Sequence, residues 1–258
     1  MRKNNHLTVI NASKMRKKYT SFLSSNVTAS VLKQQIGPII SLDHFYINSP
    51  LYPSIKHMDC NSITYIFQDS AGEIIYGSSQ HAQQILKPGG ILLNVGGNSL
   101  IENGITLKNE SLLHGLQIFL KLTTKETLSG KTSFFYEPNS LPVFRDQDSI
   151  VRVLVGRFRN IKSKISASKD LTILDVQLNF GTRFVIDAPE KNNVLVYIVK
   201  DGNASSIDNS VESPIEISRQ SGHLSILSPY ADIHFILISG KRIKDNVFQR
   251  IKTAYFSS

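Results

Sequence analysis

The chain has 258 residues, 41% of them hydrophobic, which is enough length for two ordinary domains and enough apolar content for packed cores. No apolar stretch approaches the roughly 18–20 residues of a membrane-spanning helix, and the basic start lacks the apolar segment of a secretory signal. One cysteine, Cys60, excludes an internal disulfide framework and suits a reducing compartment, so a cytoplasmic location is expected.

The formal charge of +9 is unevenly placed. Residues 1–42 hold seven basic side chains and no acid before Asp43, whereas the remaining 216 carry 22 basic and 20 acidic ones. Lys14, Arg16, Lys17 and Lys18 form the densest cluster of that N-terminal edge. Such an edge attracts polyanions through its field. No aromatic-interleaved RNA motif, zinc finger or recognition helix accompanies it, so nucleic acid is not expected as a partner.

Along the chain, short β-branched and apolar runs alternate with turn residues. Leu7–Ile10 reads as the first strand, followed by Ser62–Phe67, Glu73–Tyr76, Gly90–Leu93, Gly115–Leu120, Ile150–Val155, Val194–Val199 and His234–Ile238. Most of these runs are five or six residues long, the usual strand length. Asp69–Gly72, Pro88–Gly90, Asp201–Asn203 and Ser239–Lys241 supply turn chemistry between them. Many strands at this spacing predict an all-β sandwich or barrel, with 77–86 the one segment ambiguous between helix and strand.

The chain also repeats itself. Leu42-Asp43 matches Leu174-Asp175, Tyr65-Ile66 matches Tyr197-Ile198, and Gly90 matches Gly222, all at an offset of 132 residues. So long a period means a duplicated domain. The seam is expected near 138–149, where Pro138, Pro142 and the Arg-Asp-Gln-Asp run 145–148 break the apolar pattern. The expected domains are 1–146 and 147–258.

A small duplicated β-barrel with Pro-Gly-Gly opening a central strand is the bicupin pattern, and particular runs narrow it to one family. Ile39–Phe45 resembles the pirin segment ending in LDxF, and His114–Leu120 resembles the pirin strand HGLQLWVNL. Lys162–Lys164, Leu171–Asp175 and Phe180-Gly181 are similar to the opening of the pirin C-terminal barrel, and Phe235–Gly240 to its closing strand. The resemblance spans residues 7 to 250 and implies two tandem cupin (jelly-roll type) β-barrels.

In pirins one iron is held in the N-terminal barrel by three histidines and a glutamate. The first two come from HPHRGFETVTY, whose counterpart here is 55–65 and puts Ile55 and His57 at the ligand positions. The others come from GDxQWMTAGRGIxHxE, whose counterpart is 89–104 and puts Glu102 and Gly104 there. Residues two apart on a strand share a face, so 55 with 57 and 102 with 104 would converge on one site. Non-haem iron needs about three N/O protein ligands. Ile55 has no lone pair to donate and Gly104 has no side chain, leaving His57 and Glu102 unless His44 or His81 is recruited. No cofactor is expected, with at most a weak residual affinity for Fe(II) or another divalent metal.

Other candidates carry less. Cys60 has no nucleophile signature, and the neighbouring Asp59 would raise its thiol pKa. His114 reads as a structural histidine, and His223 and His234 lack convergent partners in sequence. The glycine pairs 89–90 and 96–97 have no strand-to-helix context for a phosphate loop.

Three functions follow. The resemblance implies a binding or regulatory module acting on an unknown protein partner or small molecule. It also implies a metal-dependent dioxygenase of the quercetin 2,3-dioxygenase type, against which two missing ligands count. The third is a metal-free small-molecule binder with a cavity lined by Ile55, Leu92 and Tyr65. A monomer is expected, with no membrane association.

Overall fold

In the computed structural model, the described residues are 7–12, 17–18, 22–28, 36–37, 39–48, 61–76, 84–95, 102–106, 112–120, 132–165, 170–201 and 214–241. The chain forms two compact units. One comprises Ala12–Thr28 and Ile39–Pro142, and the other Met1–Asn11, Ala29–Pro38 and Val143–Ser258. Every run read as a strand in the sequence is one, and no described residue is α-helical. In the ambiguous segment, Gln84–Leu86 is a strand and 77–83 lies outside the described residues.

The strands in chain order are β1 (Leu7–Asn11), β2 (Lys17–Lys18), β3 (Phe22–Thr28), β4 (Ile39–Ile47), β5 (Asn61–Ile66), β6 (Glu73–Tyr76) and β7 (Gln84–Leu86). There follow β8 (Ile91–Val95), β9 (Glu102–Thr106), β10 (Leu113–Leu120), β11 (Thr132–Tyr136), β12 (Val143–Arg145), β13 (Ser149–Val155) and β14 (Arg157–Phe158). The rest are β15 (Ile161–Lys162), β16 (Thr172–Leu178), β17 (Arg183–Asp187), β18 (Asn192–Asp201), β19 (Glu216–Gln220), β20 (His223–Leu227) and β21 (Ile233–Lys241).

The N-terminal unit contains an antiparallel sheet in the order β11-β8-β5-β10-β4-β3-β2 and a smaller one, β7-β6-β9. The C-terminal unit contains β1-β18-β21-β16-β13-β12, the three-stranded β17-β20-β19 and the hairpin β14-β15. The duplication is visible in the strand order, since β5-β10-β4-β3 repeats as β18-β21-β16-β13. Leu92 and Leu224, 132 apart, both face a core, as do Ile66 and Ile198. The Leu42-Asp43 match is out of phase. Leu174 belongs to its barrel core, whereas Leu42 lies on the opposite face from the core residue Phe45.

The single cut expected at 146/147 does not describe the N-terminal strand. β1 pairs in parallel with β18, and Leu7 packs on the core of the C-terminal unit. Its short apolar run gave a strand but no sign of which sheet it extends.

Burial of Leu- or Phe-sized side chains, worth about 1.5–3 kcal/mol each, stabilises both units. The C-terminal core cluster runs from Val151 and Val153 through Leu174, Val194 and Val196 to Leu237. Among the described residues the N-terminal core cluster is the smaller, built around Phe45, Ile47, Ile66, Tyr76, Leu92 and Leu113.

One pair controls the packing of that smaller core. Gly115 is directly opposite Phe45, and the ring covers it, so that an added Cβ would lie 2.3 Å from Phe45 Cζ. Gly115→Ala should therefore cost about 1–3 kcal/mol through overpacking. Urea unfolding measures this, and an unchanged midpoint would show that the ring yields freely.

Candidate functional site

The positions expected to hold a metal are only partly described. Ile55 and His57 lie outside the described residues, as do Cys60 and His81. Glu102 and Gly104 lie on β9, where the pairing with β6 is irregular. Glu102 is in register with Tyr76 and Gly104 with Ile75, so a bulge at Asn103 separates them. Tyr76 belongs to the core cluster and its neighbour Ile75 stands on the other face.

The register of the large sheet shows what its inner face presents instead. Phe45, Gly115 and Ile66 lie abreast, as do Asp43, Gln117, Thr64 and Leu92, and then Ser41, Phe119, Ser62 and Asn94. Going along the sheet, the inner face passes from apolar to polar. Ser133 Oγ donates to Asn94 Oδ1 at 2.7 Å, and Asn94 Nδ2 donates to Ser62 Oγ at 3.4 Å. Thr64 is 3% exposed, and its Oγ1 has no hydrogen-bond partner among the described residues. Leaving a buried hydroxyl unsatisfied costs about 1–3 kcal/mol.

The internal repeat gives the polar end its meaning. At an offset of 132, Ser62, Thr64 and Asn94 become Val194, Val196 and Ile226, all in the C-terminal core. The same barrel positions are thus filled by hydrocarbon in one unit and by hydroxyls and an amide in the other. Of the residues expected to line a cavity, Leu92 is on the core side. Tyr65 is not, since it pairs with Ile91 and Leu116 on the opposite face, as strand alternation requires.

That opposite face carries a polar chain that runs from two buried histidines to an exposed carboxylate. His114 Nδ1 donates to Asp69 Oδ1 at 2.7 Å, and the two Nε2 atoms of His114 and His44 are 2.8 Å apart. With Nδ1–H committed to the carboxylate, neutral His114 accepts at Nε2 and His44 donates. Tyr46 stacks on His114 at 4.2 Å, and Phe67 packs on it at the same distance. His44 points away from the Phe45 side and is not recruited to the barrel interior. The sequence shows both histidines but not their meeting, which depends on the β4–β10 register. Likewise His234 Nε2 lies 2.5 Å from Asp175 Oδ1, and His223 Nδ1 lies 3.0 Å from Asp187 Oδ1, so each finds a carboxylate across neighbouring strands. Among the described residues no group of three His, Cys, Asp or Glu side chains is arranged to hold a metal.

The likeness to known proteins agrees with this architecture. No family model matches the chain. A quercetin 2,3-dioxygenase of Acinetobacter baumannii superposes with a TM-score of 0.66 at 16% identity, covering 93% of this chain and 92% of that one. A bacterial pirin of Escherichia coli, solved in complex with nickel(II), gives 0.62 at 11% identity, covering 91% and 98%. A Pirin-like protein of Arabidopsis thaliana is 23% identical over 245 residues, 85% of this chain and 77% of the relative. The fold is that of a bicupin, two tandem cupin barrels. Within that class, the similarity to a pirin-like protein running through most of the sequence supports pirin-family membership.

The donor set can be tested by rebuilding it. Ile55→His, Glu102→His and Gly104→Glu together supply the family's four ligands, and Fe(II) affinity under anaerobic titration should rise well above the parent's. An unchanged affinity would show that the backbone around Asn103, and not only the side chains, has left the metal-binding geometry.

Proposed function

We propose that this pirin-family chain is a non-catalytic binding protein whose N-terminal barrel takes a small molecule without a metal. The carrying observation is the polar inner row Ser62, Thr64 and Asn94, set where the other barrel has Val194, Val196 and Ile226. Thr64 retains a buried hydroxyl with no partner among the described residues, an arrangement that stabilises a bound hydrogen-bonding group rather than the unliganded fold. The ligand has one apolar end, packed towards Phe45, Ile66 and Leu92, and one neutral end rich in hydroxyl or carbonyl groups. Metal-assisted ring cleavage is the weaker reading, because Ile55 and Gly104 occupy two of the four ligand positions.

Quercetin is a suitable probe, since it combines aromatic rings with a hydroxyl and carbonyl edge. The parent should quench or shift its spectrum on binding and leave it chemically unchanged, with or without added Fe(II). Thr64→Val should raise the stability of the free protein by about 1 kcal/mol and weaken quercetin binding several-fold. Metal-dependent loss of quercetin with turnover would overturn the proposal. So would a Thr64→Val variant that binds as the parent does.

A further inference from the structure

The charge count of the whole chain hides a second basic run. Residues 149–169 contain Arg152, Arg157, Arg159, Lys162, Lys164 and Lys169 with no acid between Asp148 and Asp170. In the C-terminal unit the middle of this run is the hairpin β14-β15, turned by Arg159 and Asn160. Arg157 and Lys162 are directly opposite each other across it. Like charges at opposed positions of an antiparallel pair are destabilising. Both residues are exposed, as is Lys164, and none of the three has an ion-pair partner among the described residues.

The hairpin is rigidly rooted, so the charges are held together. Ser163 is buried; its N–H donates to Gly156 O at 2.9 Å, and its hydroxyl donates to Leu154 O at 2.8 Å and accepts from Ile165 N. Pinning Ser163 inward leaves Lys162 and Lys164 on the outer side. Gly156 has φ +82°, and a Cβ there would lie 2.5 Å from Leu171 O, which fixes the entry into the hairpin. Phe158 is stacked on Phe184 at 5.3 Å and meets Phe144 edge-on. At the turn Arg159 adopts φ 50°, unusual for a residue other than glycine, and its guanidinium sits 4.3 Å over the Phe144 ring. Asp146 lies 3.8 Å from Arg159 and accepts from the backbone N–H groups of Asp148 and Ser149. The Asp146 carboxylate is therefore engaged with the turn and its own loop.

We propose that Arg157, Lys162 and Lys164 form a docking surface for an acidic, extended peptide segment of a partner protein. Same-face spacing along a strand is roughly 6.6–7 Å, and cross-strand spacing about 5.5 Å. Alternate carboxylates of an extended Asp/Glu-rich peptide repeat at the same interval, and the Arg157 fork accepts one of them in two hydrogen bonds. The finger's own aromatic, Phe158, is buried, so it offers no stacking platform for unpaired bases. It also exposes no large apolar side chain to enter a lipid interface. This surface is separate from the N-terminal barrel and stands or falls independently of the small-molecule reading.

The test uses the full chain and a fluorescent twelve-residue peptide of alternating Glu and Ser, read by anisotropy in low and physiological salt. The parent should bind it, more weakly as salt rises. Arg157→Gln, Lys162→Gln and Lys164→Gln together should lose about tenfold in affinity while melting at or above the parent's temperature. Lys14→Gln, Arg16→Gln, Lys17→Gln and Lys18→Gln, which neutralise the N-terminal cluster, should bind as the parent does. The proposal is overturned if the parent binds the peptide no better than an alternating Gln and Ser control, or if the finger variant keeps full affinity. Tighter binding to duplex DNA or to phosphatidylserine vesicles than to the peptide, lost in the same variant, would also overturn it by assigning the finger to phosphate.

Discussion

The register of β4 on β10 is the constraint on which the N-terminal unit depends. Gly115 under the Phe45 ring fixes that register, because a side chain at 115 would collide with the ring. With Phe45 directed inward, strand alternation sends Asp43 and Gln117 to the inner face and His44 and His114 to the outer one. A slip of one residue would exchange the two sets, placing imidazoles in the barrel and the core side chains on the other face. The polar inner row and the His44–His114–Asp69 chain are two consequences of one pairing.

Within this frame the two barrels have diverged in opposite directions. In the C-terminal unit the positions matching Ser62, Thr64 and Asn94 are Val194, Val196 and Ile226, so those positions are packed core and offer no group to orient a ligand. The N-terminal interior keeps hydroxyls and an amide at the corresponding places, one of them without a partner among the described residues. A polar group held at a cost to stability marks a position shaped by something other than folding. The Arg157–Lys162 pair has the same logic on a surface, since two opposed cations are retained where either sign change would relieve repulsion. One duplicated fold thus carries a buried polar row in its first unit and a charged finger in its second.

Much of the fold was legible in the sequence because strand runs, turn residues and the 132-residue offset are local patterns. The Tyr65-Ile66 match is in phase in the structure, with Ile66 and Ile198 both in a core; the Leu42-Asp43 match is not, since identity of two letters says nothing about facing. The partner of β1 was not legible, as a short apolar strand fits any sheet edge. Tyr65 was misassigned to a cavity for want of the register that sets it opposite Ile91. The meeting of His44 with His114, 70 residues apart, and the carboxylates found by His223 and His234 are long-range pairings that no spacing rule supplies. The basic run 149–169 does not stand out in a global charge count because its six cations are balanced by acids elsewhere.

The central claim is that the N-terminal barrel binds its ligand without a metal. The most direct measurement is metal stoichiometry by elemental analysis of protein purified without chelators from iron-, nickel- and manganese-supplemented cells. The account predicts far less than one transition metal per chain, removed by ordinary dialysis with no change in quercetin affinity. About one tightly held iron, nickel or manganese per chain, with quercetin affinity lost on its removal, would contradict it.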